Sequence, residues 1–133
     1  MGRGGVHTAE EETNVAIVRR VYAEVLDQTD PDAVDALIAP DYIQHNPNAA
    51  TGAEGLKAML RRAREKYPEV RHDVKRILAD GDMVAAHVHI RFFPDTPGFA
   101  TVDIFRFSEG RIVEHWDVMQ PVATEAQNEN GMF

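Results

Sequence analysis

The chain is predicted to fold as an α+β domain, with three N-terminal helices covering one face of an antiparallel sheet. Three observations carry that expectation. Apolar residues recur at helical spacing only in the first half, up to Tyr67-Pro68. Four runs of strand-like residues then follow one another, Val70 to Ala79, Met83 to Phe93, Phe99 to Phe107 and Arg111 to Gln120. The connections between them, Asp80-Gly81-Asp82, Pro94-Asp95-Thr96-Pro97-Gly98 and Ser108-Glu109-Gly110, are too short for parallel crossovers, so the strands form a meander that the helices must cover.

Each element has its own signals. Thr8 and Glu11 make a capping box, after which Ile17, Val18, Val21, Tyr22, Val25 and Leu26 keep helical spacing to about Leu26. Asp30-Pro31 starts a second helix through Leu37 and Ile38, with aspartate as N-cap and proline at the first position. The segment Pro40-Asp41-Tyr42-Ile43-Gln44-His45-Asn46-Pro47 breaks it. Thr51 with Glu54 caps a third helix, whose Leu56, Met59, Leu60 and Ala63 face inward and which Tyr67-Pro68 ends. The first seven residues and the tail from Ala123 to Phe133 lack periodicity and are expected to be mobile, leaving one domain over 1–133 with a core of about 14–121.

Composition removes several function classes. With 133 residues, 44% hydrophobic and 27% charged, the chain has room for one core and a ligand cavity. No run approaches a membrane span, and Met1-Gly2-Arg3-Gly4-Gly5 lacks the apolar stretch of a signal peptide, so a cytoplasmic protein without membrane contact is expected. The absence of cysteine removes disulfides, thiolate metal sites and cysteine nucleophiles. A net charge of −8 argues against a nucleic-acid partner, and the basic cluster Lys57, Arg61, Arg62, Arg64 and Lys66 reads as the wet side of a helix. No nucleotide fingerprint or phosphate loop is present, so no cofactor is expected. His87 and His89 share a strand face, yet no Glu follows at the spacing a cupin metal site needs, and no metal is expected.

The final hairpin gathers the candidate chemistry. If Ser108-Glu109-Gly110 is a three-residue loop, Asp103 lies opposite His115 and Thr101 opposite Asp117. Asp103, His115 and Asp117 then share a face with Phe105, Phe107 and Met119, whereas a two-residue Glu109-Gly110 turn would bring Trp116 to that face instead. Apolar surroundings and a like-charged neighbour raise a carboxyl pKa toward the range where a general base works. The opposite face carries Ile104, Ile112, Trp116 and Val118, apolar area that needs cover and points to a homodimer, with Arg106 and Glu114 pairing at the rim.

Val15-Leu26, Asp41-Tyr42-Ile43-Gln44-His45-Asn46-Pro47, Asp80-Gly81-Asp82, Val102-Asp103-Ile104-Phe105-Arg106-Phe107 and Glu109-Gly110-Arg111-Ile112-Val113-Glu114-His115-Trp116-Asp117 together resemble the SnoaL-like polyketide cyclases of the nuclear transport factor 2-like superfamily. The resemblance runs from Asn14 to Pro121 and implies a cone: a strongly curved sheet wrapped around the helices, with a pocket inside and often a dimer through the outer sheet face. In such cyclases an acidic residue of the last strand is the base of an intramolecular aldol closure, a role that falls here to Asp117. A histidine fourteen residues earlier assists it there; this chain has Asp103 at that position, and His115 is expected to supply the imidazole. The resemblance also directs His45 to the pocket mouth.

Two classes of function follow. One is a cofactor-independent enzyme on a small, largely apolar carbonyl compound, with Asp117, Asp103 and His115 catalytic and His45, His89, Tyr22, Phe105 and Met119 binding substrate. The alternative is a non-catalytic small-ligand-binding or dimerisation module on the same fold.

Overall fold

The computed structural model describes residues 6–133, so the expectation of a mobile N-terminus falls mostly on 1–5, outside the described residues. Helix α1 spans Ala9–Arg20 and opens on the expected capping box, with Glu11 N–H donating to Thr8 Oγ1 at 3.1 Å and Thr8 N–H to Glu11 Oε1 at 2.8 Å. It continues as a wider π-helical turn, Val21–Leu26, which keeps Val21, Tyr22 and Val25 buried. Glu11 is wholly buried because its second oxygen accepts from Gly81 N–H at 2.7 Å, tying α1 to a strand turn.

The second predicted helix reduces to one 3-10 turn, Pro31–Ala33. Asp30 caps it as expected, by accepting from Asp32 N–H. A run this short cannot propagate against the cost of nucleation. Ile38 starts strand β1 instead, Ile38–Gln44, which pairs parallel with the last strand: Ile38 lies opposite Ile112 and Gln44 opposite His115. Two long helical elements are therefore present among the described residues rather than three helices. The sheet has five strands in the order β1-β5-β4-β3-β2, mixed rather than wholly antiparallel. Pro40 is tolerated because β1 is an edge strand.

Helix α2, Gly52–Lys66, starts where expected, but its capping box does not form. The Thr51 hydroxyl is taken by β1, donating to Tyr42 O at 3.2 Å and accepting from Gln44 N–H at 3.1 Å. Leu56 and Leu60 are buried against the sheet. The remaining strands are β2 (Arg71–Asp80), β3 (Met83–Arg91), β4 (Phe99–Ser108) and β5 (Arg111–Pro121), all antiparallel neighbours. One core joins Val18, Tyr22, Leu37, Leu60, Val84, Val88, Phe105 and Ile112.

The β4–β5 hairpin closes on a two-residue Glu109-Gly110 turn, both residues at positive φ, with Ser108 opposite Arg111. The expected three-residue loop is absent. Regular pairing from that turn would bring Trp116 opposite Asp103, but the ladder jumps between Phe107↔Ile112 and Arg106↔Glu114, leaving Val113 as a bulge. Asp103 thus lies opposite Asp117 and Phe105 opposite His115. The bulge restores the facing of the expected loop while shifting the partners by two. Ile112, expected on the outer face, is core because the two-residue turn sets it opposite Phe107. Outside remain Val102, Ile104, Trp116 and Val118, with the expected Arg106–Glu114 pair at 2.9 Å. The tail after Pro121 has no regular element, yet its end is packed: the Phe133 ring stacks on His89 with centroids 4.4 Å apart. No helix among the described residues is long and apolar enough to cross a membrane.

Candidate active site

A cavity of about 670 Å³ lies between the sheet, the end of the π-helical turn and α2. Its inner wall is built from alternate residues of three strands: Asp103 and Phe105 of β4, His115 and Asp117 of β5, and Tyr42 and Gln44 of β1, continued by Asn46. Strand periodicity puts each set on one face, and the Val113 bulge puts β5 in phase.

The hydrogen bonds form one chain whose proton positions can be derived. Asn46 N–H can only donate, so the Gln44 atom it meets at 3.0 Å is the carbonyl Oε1, and Gln44 Nε2 donates to Tyr42 OH at 2.6 Å. The same Oε1 lies 2.8 Å from His115 Nδ1, which must therefore carry a hydrogen. That leaves His115 Nε2 facing Asp103 Oδ1 at 2.9 Å, with one proton shared between them. Asp103 Oδ2 accepts from Tyr22 O–H at 2.5 Å. Burial, then the Asp103 charge, push the Tyr22 phenol far above its usual range, so it stays a donor.

Asp117 is placed differently. Its Oδ2 accepts from Asn46 Nδ2 at 2.8 Å and lies 4.0 Å from His115 Nε2, while Oδ1 takes no hydrogen bond from any described residue. Both oxygens of Asp103 are engaged; one of Asp117 is available. Tyr42 accepts from Gln44 and has no described acceptor for its own proton. Burial, then Asp103 and Asp117, raise its pKa, so the hydroxyl remains a donor at the cavity wall.

Of the expected site residues, Asp103, His115, Asp117, Phe105 and Met119 line this cavity. Tyr22 does not line it; it stands behind, holding Asp103. His45 and His89 do not belong to the pocket. Asn46 and Gln44 take the inward side of β1, so His45 turns outward, stacks on Trp116 with ring centroids 5.1 Å apart and meets Glu114 Oε2 at 2.7 Å. His89 shares the outer face of β3 with His87 and lies 2.7 Å from Pro97 O. Tyr42, Gln44 and Asn46 are the residues that sequence reasoning missed, because their segment was read as a helix break. Read as a strand, its period of two sets Tyr42, Gln44 and Asn46 against Ile43 and His45. One oxygen or nitrogen from each of Asp103, His115 and Asp117 fits within 4.8 Å, the donor set that a cation would use, although the hydrogen bonds above occupy these groups with one another and with Asn46.

Replacing Tyr22 by phenylalanine keeps the ring in the core but leaves Asp103 Oδ2 buried without its donor, and should cost about 1–3 kcal/mol of stability. Urea unfolding of the variant measures this directly.

The SnoaL-like polyketide cyclase sequence pattern matches residues 16–128. The chain belongs to that family. Its fold is shared with solved structures of the family. One is a candidate polyketide cyclase from Bacillus cereus ATCC 10987, with 22% identity, TM-score 0.73, and 86% of this chain and 78% of that one covered. A candidate SnoaL-like polyketide cyclase from Jannaschia sp. CCS1 has 21% identity and TM-score 0.74, covering 87% and 91%. AclR from Streptomyces galilaeus, described as a candidate hydroxylase, has 20% identity and TM-score 0.66, covering 84% and 81%. At these identities the SnoaL-like neighbours establish the nuclear transport factor 2-like α+β fold and nothing finer. None of the curated proteins matches the chain.

Proposed function

We propose that this SnoaL-like protein is a cofactor-independent enzyme that removes an acidic C–H proton from a small, largely apolar carbonyl compound, leading to aldol-type cyclisation or isomerisation. The observation that carries this reading is the asymmetry of the two carboxylates: Asp103 is saturated by Tyr22 and His115, whereas Asp117 keeps one oxygen available at the cavity wall. Asp117 takes the proton, and the C–H electron pair moves into the enolate. The Tyr42 hydroxyl, with no other described acceptor, donates to the enolate oxygen. The enolate carbon then attacks a second carbonyl of the same molecule, whose new alkoxide oxygen takes the proton back from Asp117, or is itself reprotonated by Asp117. Asp103, His115 and Gln44 position the wall and hold the shared proton beside Asp117. Phe105 and Met119 supply apolar contact.

The test needs no knowledge of the natural substrate. A small apolar ketone such as 2-tetralone, incubated in D₂O with protein treated with a chelator, should lose its α-proton NMR signals faster than in buffer. No acceleration favours the binding-module reading; acceleration that disappears with chelation contradicts a cofactor-independent reaction.

We further propose a homodimer through the outer sheet face, where Val102 and Val118 stay exposed beside Ile104 and Trp116. Sedimentation at micromolar concentration should report twice the chain mass, and a Val118→Glu variant should run as a monomer.

A further inference from the structure

Resting on that reading of the cavity, we infer that the substrate also carries a carboxylate, held at the cavity mouth by Arg62 and Lys66. These two residues lie one turn apart on α2, both exposed, and both line the cavity. They belong to the basic cluster that reads in the sequence as a wet helix face, and the structure divides that cluster. Lys57 is neutralised by Asp35 at 2.9 Å and Glu54 at 3.3 Å, and Arg64 lies 3.9 Å from Asp30. Among the described residues, Arg62 and Lys66 enter no ion pair; the Lys66 ammonium sits 5.3 Å over the Tyr67 ring at the same rim. Arg61, of the same cluster, is also outside any ion pair among the described residues but does not line the cavity, so Arg62 and Lys66 are the arginine and lysine that the lining presents to a ligand.

The sheet wall of the cavity has the opposite sign to the α2 wall. Asp103 and Asp117 are set in it, where an anion would be repelled. Of the two histidines that line the cavity, His72 meets Asp27 at 2.8 Å and His115 meets Asp103 at 2.9 Å. A ligand with a carbonyl at one end and a carboxylate at the other is therefore favoured in one orientation, carbonyl inward to Asp117 and Tyr42 and carboxylate outward to Arg62 and Lys66. The substrate class is an oxo acid with an apolar body. Arg62 and Lys66 are then specificity residues that touch the part of the substrate remote from the reacting carbon.

The probes are 1-naphthaleneacetate and 1-naphthaleneacetamide, nearly equal in shape and different in charge, with binding followed by naphthalene fluorescence. At low ionic strength the acetate should bind roughly tenfold more tightly than the amide, and the advantage should shrink at high salt as exposed charges are screened. In an Arg62→Gln, Lys66→Gln double variant, altered only on an exposed helix face, the acetate should fall to the affinity of the amide. Asp117→Asn should retain the preference. Equal affinities in the unaltered protein, tighter binding of the amide, or no saturable binding of either probe overturns the inference. None of these outcomes alters the expected exchange of ketone α-protons, so the two readings fail separately.

Discussion

Replacing Glu11 by alanine is expected to cost about 3–6 kcal/mol of stability, the sum of two charge-assisted hydrogen bonds worth roughly 1.5–3 kcal/mol each. The carboxylate is fully buried and accepts from Thr8 N–H on one oxygen and Gly81 N–H on the other. The first bond starts α1; the second fixes the β2–β3 turn, which lies at positive φ at Gly81. Alanine orphans both donors. Because α1 runs into the turn that carries Tyr22, loosening it also loosens the support of Asp103. Glu11→Gln, which keeps the shape and an acceptor oxygen, should lose less. Equilibrium urea unfolding of the three proteins checks the order, and a loss below about 1 kcal/mol for alanine would contradict this account of the buried carboxylate.

Glu11 also shows where a sequence stops being legible. Its capping box is a local pattern, readable from Thr8 and Glu11 alone, whereas the bond to Gly81 joins residues seventy apart and has no local signature. The same division runs through the fold. The four C-terminal strands match their predicted limits closely, because alternation and turn residues are local signals. Strand β1 escaped, since its partner is β5 and a strand next to Asp30-Pro31 looks like the tail of a short helix. Thr51 has the residue type of a capping box, but a tertiary partner, β1, took its hydroxyl.

The site was legible to the same extent. Asp103, His115 and Asp117 were brought together as expected, though for a reason not visible in the sequence. The turn has two residues rather than three, and the Val113 bulge supplies the missing offset. The two-residue turn also sets Ile112 opposite the buried Phe107 and so in the core, on the near side of the bulge. His45 and His89 fell outside the pocket because a histidine carries no marker of which strand face it takes. Tyr42, Gln44 and Asn46, which fix the imidazole tautomer and hold Asp117, became candidates only once β1 was in place.

Asp117→Asn should lower proton-transfer turnover by roughly 10²-fold or more, the usual consequence of losing a general base. The substitution conserves shape and leaves the cavity wall filled, so ligand affinity should change little. The new side-chain amide can set its oxygen where Asp117 Oδ2 now accepts from Asn46 Nδ2, leaving the Asn46 oxygen on Asn48 N–H, so stability should also be nearly kept. A fall in affinity matching the fall in turnover would mean that Asp117 serves to bind and not to react.

The central claim is that the available Asp117 oxygen takes a carbon-bound proton, and proton NMR of 2-tetralone in D₂O follows that step directly. With equal concentrations of the unaltered protein and Asp117→Asn, α-proton loss should be accelerated by the first and, in the second, fall by roughly 10²-fold toward the buffer rate. Equal acceleration by both proteins would contradict the assignment of Asp117 as the base.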